Sequence, residues 1–189
     1  MHRLWLVIPL GILAPACLGQ PLENIEKADT ETVRLSPTAF PELPRGIVTE
    51  LQRRGCTIPQ VPMVRGRHNV IKGEFLRPGQ TDWAVLCSVS RVSSILVFWN
   101  SAASNPSEIA TSKDRDLLQG WAEHKMVYSW MIAPAGKKYI VEHRERYKAH
   151  GIAVPPSIDH QGINDGFFGK ASVVRYFYRG QWLALAGAD

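Results

Sequence analysis

The chain has 189 residues, 45% of them hydrophobic and 21% charged, an ordinary globular composition that predicts one packed core. It shows no internal repeat, and its length excludes an array of several bladed or stacked units. The formal net charge of +5 is read first as a solvated surface, with attraction to anionic partners as its functional counterpart.

Met1–Gly19 has the layout of a secretory signal peptide. His2 and Arg3 precede the apolar run Leu4–Leu13, and small residues follow from Ala14 to Gly19,. The run contains Pro9 and Gly11 and falls short of the ~20 residues a membrane-crossing helix needs. Cleavage after Gly19 would start the mature chain at Gln20. The other exit lies before Cys17, where Ala14-Pro15-Ala16-Cys17 resembles a bacterial lipoprotein box. A membrane contact is expected only if Cys17 is lipidated. The predicted location is periplasmic or extracellular, and the mature charge is +4 because Arg3 is the only charged residue removed.

Residues 20–41 are polar until Phe40 and read as an exposed lead-in to a single domain over 42–189. A short helix is predicted over Leu43–Arg54: Pro44 suits its first turn, Ile47, Val48 and Leu51 share a face, and Gly55 stops it. It delivers Cys56. In an oxidising compartment Cys56 and Cys87 are expected to form a disulfide. Closing a loop of about thirty residues, the bond would stabilise the fold by roughly 3–4 kcal/mol in the chain-entropy treatment.

Three β runs follow: Asn69–Leu76, Trp83–Val89 and Ser94–Trp99. Arg77-Pro78-Gly79-Gln80 is a type II turn by composition, so the three form an antiparallel meander. Trp83, Val85 and Cys87 share one face of the second run, and Ala84, Leu86 and Ser88 the other. With both faces largely apolar, that strand should be covered on both sides. Ile109–Gly120 holds one or two short strands and Val127–Ala133 another. A longer helix is expected from Pro134 to His150, outside the sheet, with Gly151 as its stop. Asp159 caps a short helical turn through Phe167. Val173–Leu185 is a hairpin about Arg179-Gly180. The fold class is therefore α+β: one mainly antiparallel sheet, a short N-terminal helix and a longer one.

The stretch Gly73-Glu74-Phe75-Leu76-Arg77-Pro78-Gly79-Gln80-Thr81-Asp82-Trp83-Ala84-Val85 resembles the FG-GAP, or VCBS-type, repeat of extracellular bladed proteins. That family implies a strand–turn–strand whose acidic loop binds calcium. Gly73, Phe75, Gly79, Asp82, Ala84 and Val85 match its pattern. Glu74 and Asp82 are the available oxygen donors, while Leu76 and Pro78 occupy ligand positions, and calcium takes six to eight oxygens. No metal and no cofactor are expected. The C-terminal segment Asp159–Lys170 and its hairpin resemble exported bacterial proteins, a likeness that implies no activity.

Asp159–Lys170 is also the densest polar stretch. Read as chemistry, His160 transfers a proton, Asp159 or Asp165 orients it, and Lys170 contacts an anion. Read as structure, Asp159 is a cap and Phe167 and Phe168 enter the core. His143 and His150 lie too far apart along one helix to share a metal. Tyr139, His143 and Tyr147 form a packing stripe. Trp83, Trp99, Trp121, Trp130 and Trp182 are either core residues or a sugar-stacking platform. P-loop, GxSxG, HExxH and dinucleotide fingerprints are absent from the sequence.

The leading expectation is an exported, non-enzymatic binding or interaction domain with an anionic extracytoplasmic ligand or a protein as partner, and no nucleic acid. The alternative is a small extracytoplasmic hydrolase using His160 with Asp159 or Asp165.

Overall fold

The structure, a computed structural model, describes residues 20–121, 125–151 and 153–187. The expected signal peptide, Cys17 and both cleavage alternatives lie outside them. In chain order the elements are α1 (Gln20–Glu31), β1 (Arg34–Leu35), α2 (Arg45–Arg53), β2 (Ile58–Pro59), β3 (Val70–Gly73), β4 (Asp82–Val89), β5 (Val92–Phe98), β6 (Ser107–Lys113), β7 (Leu118–Gly120), β8 (Met126–Tyr128), β9 (Trp130–Ala135), α3 (Lys137–Ala149), β10 (Gly162–Phe167), β11 (Ser172–Tyr178) and β12 (Gln181–Ala186). Two four-stranded antiparallel sheets dominate, ordered β3-β4-β5-β6 and β12-β11-β10-β9, with the two-stranded pairs β1-β2 and β7-β8 beside them. No described helix is long and apolar enough to cross a membrane.

Side-chain alternation along β4 sets the layering. Trp83, Val85 and Cys87 pack with Leu96 and Phe98 against Ile47 and Leu51 of α2, and against Phe40 and Leu43. Ala84 and Leu86, with Ile95 and Val97 of β5, face Trp130, Ile132 and Ile163 of the second sheet. The far face of that sheet, Val174, Tyr176 and Leu185, is covered by Ile140 of α3 and by Ile158. The order is thus helix, sheet, sheet, helix. β4 is covered on both sides, as its composition predicted. Ile47 and Leu51 have no exposed surface, and each burial contributes about 1.5–3 kcal/mol.

Several local expectations hold. Gly79 has φ +78° and Gln80 N–H donates to Arg77 C=O at 3.3 Å, as a type II turn requires. Arg179 (φ +47°) and Gly180 (φ +89°) give the β11–β12 hairpin the paired positive φ values of a type I′ turn. Gly55 ends α2 at φ +70°, and Cys56 is disulfide-bonded to Cys87 with Cα atoms 5.4 Å apart.

Others are corrected. The single sheet is two stacked four-stranded sheets with two smaller pairs, and the expected run Val127–Ala133 is cut between the β7-β8 pair and the second large sheet, with β8 pairing β7 and β9 pairing β10. Pro134 lies in β9 opposite Ile163, and the helix starts after Gly136. The expected helical turn Asp159–Phe167 is mostly strand β10. It reads as a turn because it is rich in Gly, Asn and Asp, yet it pairs on both sides. A Cβ on Gly162 would lie 2.6 Å from Arg175 O, and one on Gly166 would lie 2.5 Å from Ser172 Cβ. These glycines permit close cross-strand approach.

Residues 20–41 are not an exposed lead-in. Ala28 of α1 is 6% exposed and Phe40 1%. A buried ion cluster fastens this segment. Asp114 accepts from Arg34 Nη2 (2.7 Å) and Nε (3.1 Å), from Ser88 Oγ (2.7 Å) and from Ser93 Oγ (2.6 Å). Arg34 Nη1 also donates to Asp29 C=O at 2.8 Å. Its partners are distant in sequence, which is why polarity alone misreads the segment.

Two further buried polar side chains hold the backbone, Asn69 between the sheets and Asp82 within the first. Asn69 is fully buried at φ +69°. Its Nδ2 donates to Pro59 C=O (2.8 Å) and Trp130 C=O (3.2 Å), and its Oδ1 accepts from Ile132 N–H (3.0 Å). Asp82, equally buried, accepts from Phe75 N–H (2.9 Å), Leu76 N–H (3.0 Å), Gln80 Nε2 (2.7 Å) and Asn100 N–H (2.8 Å). The aspartate of the calcium-loop resemblance therefore organises two turns. Among the described residues no group of three or more His, Cys, Asp or Glu side chains is placed to hold a metal.

Candidate functional site

α1 lies across the β7–β8 pair, beside the loop that joins β2 to β3. The loop is folded by its own polar groups. Gln60 Nε2 donates to Ile58 C=O (3.1 Å), Pro59 C=O (3.1 Å) and His68 C=O (3.0 Å), and Gln60 Oε1 accepts from His68 N–H (3.1 Å). Val61 N–H donates to His68 Nε2 at 2.6 Å. With Nε2 an acceptor, the ring hydrogen sits on Nδ1, which donates to Gly66 C=O at 3.2 Å,. Burial pushes the His68 pKa down, so the ring is neutral.

Because those groups turn inward, the loop offers Val61, Pro62 and Val64 to a cleft of about 390 Å³ that is closed by Ala28, Met126 and Val127. That volume lies in the range of small-molecule sites, about 300–1,000 Å³. Tyr128 lies in the lining, and its hydroxyl donates to Ser93 Oγ at 3.3 Å, so it too brings an apolar ring. Burial raises its pKa far above the ordinary phenol range. At the mouth stand Val33, 58% exposed, and the charged residues Glu31, Arg67 and Lys125. Glu31 is 3.9 Å from Lys27, whereas Arg67 and Lys125 have no ion-pair partner among the described residues.

The residues picked out in the sequence lie elsewhere. Asp159 and His160 share an open cleft of about 570 Å³ with Lys137, Tyr178 and Arg179. His160 is 7% exposed; its Nδ1 donates to Gln161 C=O at 2.9 Å, and no hydrogen bond joins it to Asp159 or Asp165 among the described residues. Asp165 is not beside it. It sits in β10 on a third recess, lined also by Trp130 and Arg175. Its Oδ1 accepts from Trp130 Nε1 and its Oδ2 from Arg175 Nε at 2.5 Å. Lys170 donates to Gln119 Oε1.

The tryptophans form no common platform. Trp83 and Trp130 are 7% and 3% exposed. Trp99 stacks on Trp182 with ring centroids 5.8 Å apart and meets Phe177 at 5.1 Å. Trp121, 41% exposed, leans on Phe168 at 5.5 Å. His143 is buried in α3 with Nδ1 bonded to Tyr139 C=O at 2.8 Å, in keeping with the expected packing stripe.

The apolar cleft is not legible in the sequence, because its walls come from three separate segments and its helix looks polar. The one local signal is Val61-Pro62-Met63-Val64 flanked by Arg65 and Arg67, an apolar group followed by cations without acids between them. Compared with protein-family models, with curated proteins and with solved structures, the chain matches none of them.

Proposed function

We propose that this chain is an exported binding protein whose cleft between α1 and β8 holds a small amphipathic anion. The apolar body of the ligand fills the space between Val61, Val64, Met126 and Val127, and its acid group meets Arg67 and Lys125 at the mouth. The observation that carries this reading is the pairing of an apolar cleft, whose Gln60 and His68 are hydrogen-bonded within the loop, with two cations at its lip that have no ion-pair partner among the described residues. Removing apolar surface from water drives such binding, and charge at the rim sets orientation and selectivity. Export is supported by the Met1–Gly19 pattern and agrees with the Cys56–Cys87 disulfide,.

The test is a titration with 1-anilinonaphthalene-8-sulfonate, followed by displacement with decanoate. Saturable blue-shifted fluorescence that decanoate displaces is expected. Val64→Glu abolishes it, and Arg67→Glu with Lys125→Glu weakens decanoate at least tenfold while the near-UV circular dichroism is unchanged. Absence of saturable fluorescence with the folded protein, or indifference to Val64→Glu, refutes the reading.

The hydrolase alternative rests on one observation, His160 and Asp159 on a shared cleft with Nε2 of His160 unpaired. Asp165 is engaged by Trp130 and Arg175 instead. This alternative requires p-nitrophenyl acetate hydrolysis that His160→Gln removes; equal rates for the two proteins dismiss it.

A further inference from the structure

We infer that the cleft between the start of α3 and the β11–β12 hairpin is a second site, specific for a phosphate-type oxyanion. Two independent observations converge there. The first is an uncompensated concentration of positive charge. α3 is a 13-residue helix whose N-cap, Gly136, supplies no side-chain hydrogen bond and whose first turn contains no acid. Helix N-termini favour negative charge, yet Lys137 and Lys138 occupy this one. Lys138 lies 3.9 Å from Glu142. Lys137 has no ion-pair partner among the described residues and lines the cleft with Arg179. Arg179 is held at the tip of the hairpin at φ +47°, its guanidinium 5.3 Å from the Tyr178 ring centroid and without an ion-pair partner among the described residues. Lysines at the positive end of a helix repel it in the free protein, and a bound anion turns that repulsion into attraction.

The second observation is His160. It is more than nine-tenths buried and lines the same cleft. A carbonyl oxygen only accepts, so the bond from Nδ1 to Gln161 C=O at 2.9 Å puts the ring hydrogen on Nδ1. Nε2 has no partner among the described residues, and in the neutral tautomer it is left to meet a ligand hydroxyl. Asp159, the one acid on the cleft among the described residues, offers carboxylate oxygens as further acceptors. Two acceptors beside two cations and a helix N-terminus fit an oxyanion that still carries a proton. Phosphate and phosphate monoesters do so near neutral pH; sulfate does not. Tyr178 also lines the cleft and gives an aromatic or sugar ester a ring to lie on.

Calorimetry with the intact mature protein tests this, using inorganic phosphate, phenyl phosphate and sulfate as probes. Saturable binding of phosphate is expected, at least tenfold tighter than sulfate. Lys137→Gln with Arg179→Gln weakens it at least tenfold, and Asp159→Asn erases the preference over sulfate. Lys137, Asp159 and Arg179 are exposed, so an unchanged thermal midpoint in each variant certifies the fold. Tighter binding of phenyl phosphate assigns the site to monoesters, and equal affinity assigns it to free phosphate. No saturable heat with either phosphate probe overturns the inference. So does sulfate binding as tightly as phosphate in the wild-type protein, or a loss in Lys170→Gln as large as in the double variant. Because Val64→Glu leaves this cleft intact, failure of the apolar site and failure of this one are separately visible.

Discussion

Replacing Asp82 by alanine is the sharpest test of how the central sheet is held. The carboxylate is fully buried, with no cation bonded to it, and it accepts three backbone N–H groups and the Gln80 amide at 2.7–3.0 Å. Phe75, whose N–H is one of these donors, is itself fully buried. Each buried donor left without an acceptor costs about 1–3 kcal/mol. The N–H groups of Leu76 and Asn100 lie in partly buried surroundings and recover part of that by bonding water. The expected loss is about 3–5 kcal/mol, a fifth or more of the ~5–15 kcal/mol of a typical domain. Urea unfolding followed by tryptophan fluorescence measures it, with an unchanged slope as the sign that compactness is preserved. Asp82→Asn should cost about 2–3 kcal/mol, because its amide nitrogen would point at another donor. A loss under about 1 kcal/mol for both variants would falsify this account of the loop. A calcium-dependent rise in the wild-type midpoint would do the same, since Asp82 would then be a ligand.

Opening the Cys56–Cys87 bond by Cys56→Ser with Cys87→Ser should lower stability by about 3–4 kcal/mol for a closed loop of 31 residues,, and dithiothreitol should bring the wild-type urea midpoint down to that of the variant. Asn69→Ala loses three bonds and the residue type best suited to φ +69°, so a loss of about 3–4 kcal/mol is expected from the same unfolding assay. Hydrogen bonds from Arg53 and Arg54 lower the Glu50 pKa from 4.5 to about 2. A depressed folded-state value stabilises above the unfolded pKa and is lost as pH falls through the folded one. Glu50→Gln should therefore flatten the acid limb of stability between about pH 4.5 and 2 and leave the slope above pH 6 unchanged.

Local chemistry made several features legible before folding. The near-continuous apolar run over Trp83–Val89 marks a strand buried on both faces, because a strand turns successive side chains to opposite sides. Pro78-Gly79 and Arg179-Gly180 specified turns through the φ values those residues tolerate, and Gly55 marked the end of α2. The expected pairing of Cys56 with Cys87 is the disulfide that forms. What depended on distant partners was hidden. α1 looks like a solvated lead-in, and it is distant partners that fasten that segment to the sheet: Arg34 meets Asp114, eighty positions away, and Asp29 meets Arg91, sixty-two away. Gly162-Ile163-Asn164-Asp165-Gly166 looks like a turn, and only cross-strand approach too close for a Cβ makes it a central strand. His160 and Asp165, read together from five positions of sequence, lie on different clefts, since a strand separates what a helical turn would have gathered. Residue types and their near neighbours thus determine element type, turn geometry and the disulfide. The sites belong to tertiary structure, because an apolar cleft and a cluster of unpaired cations exist only once remote segments converge.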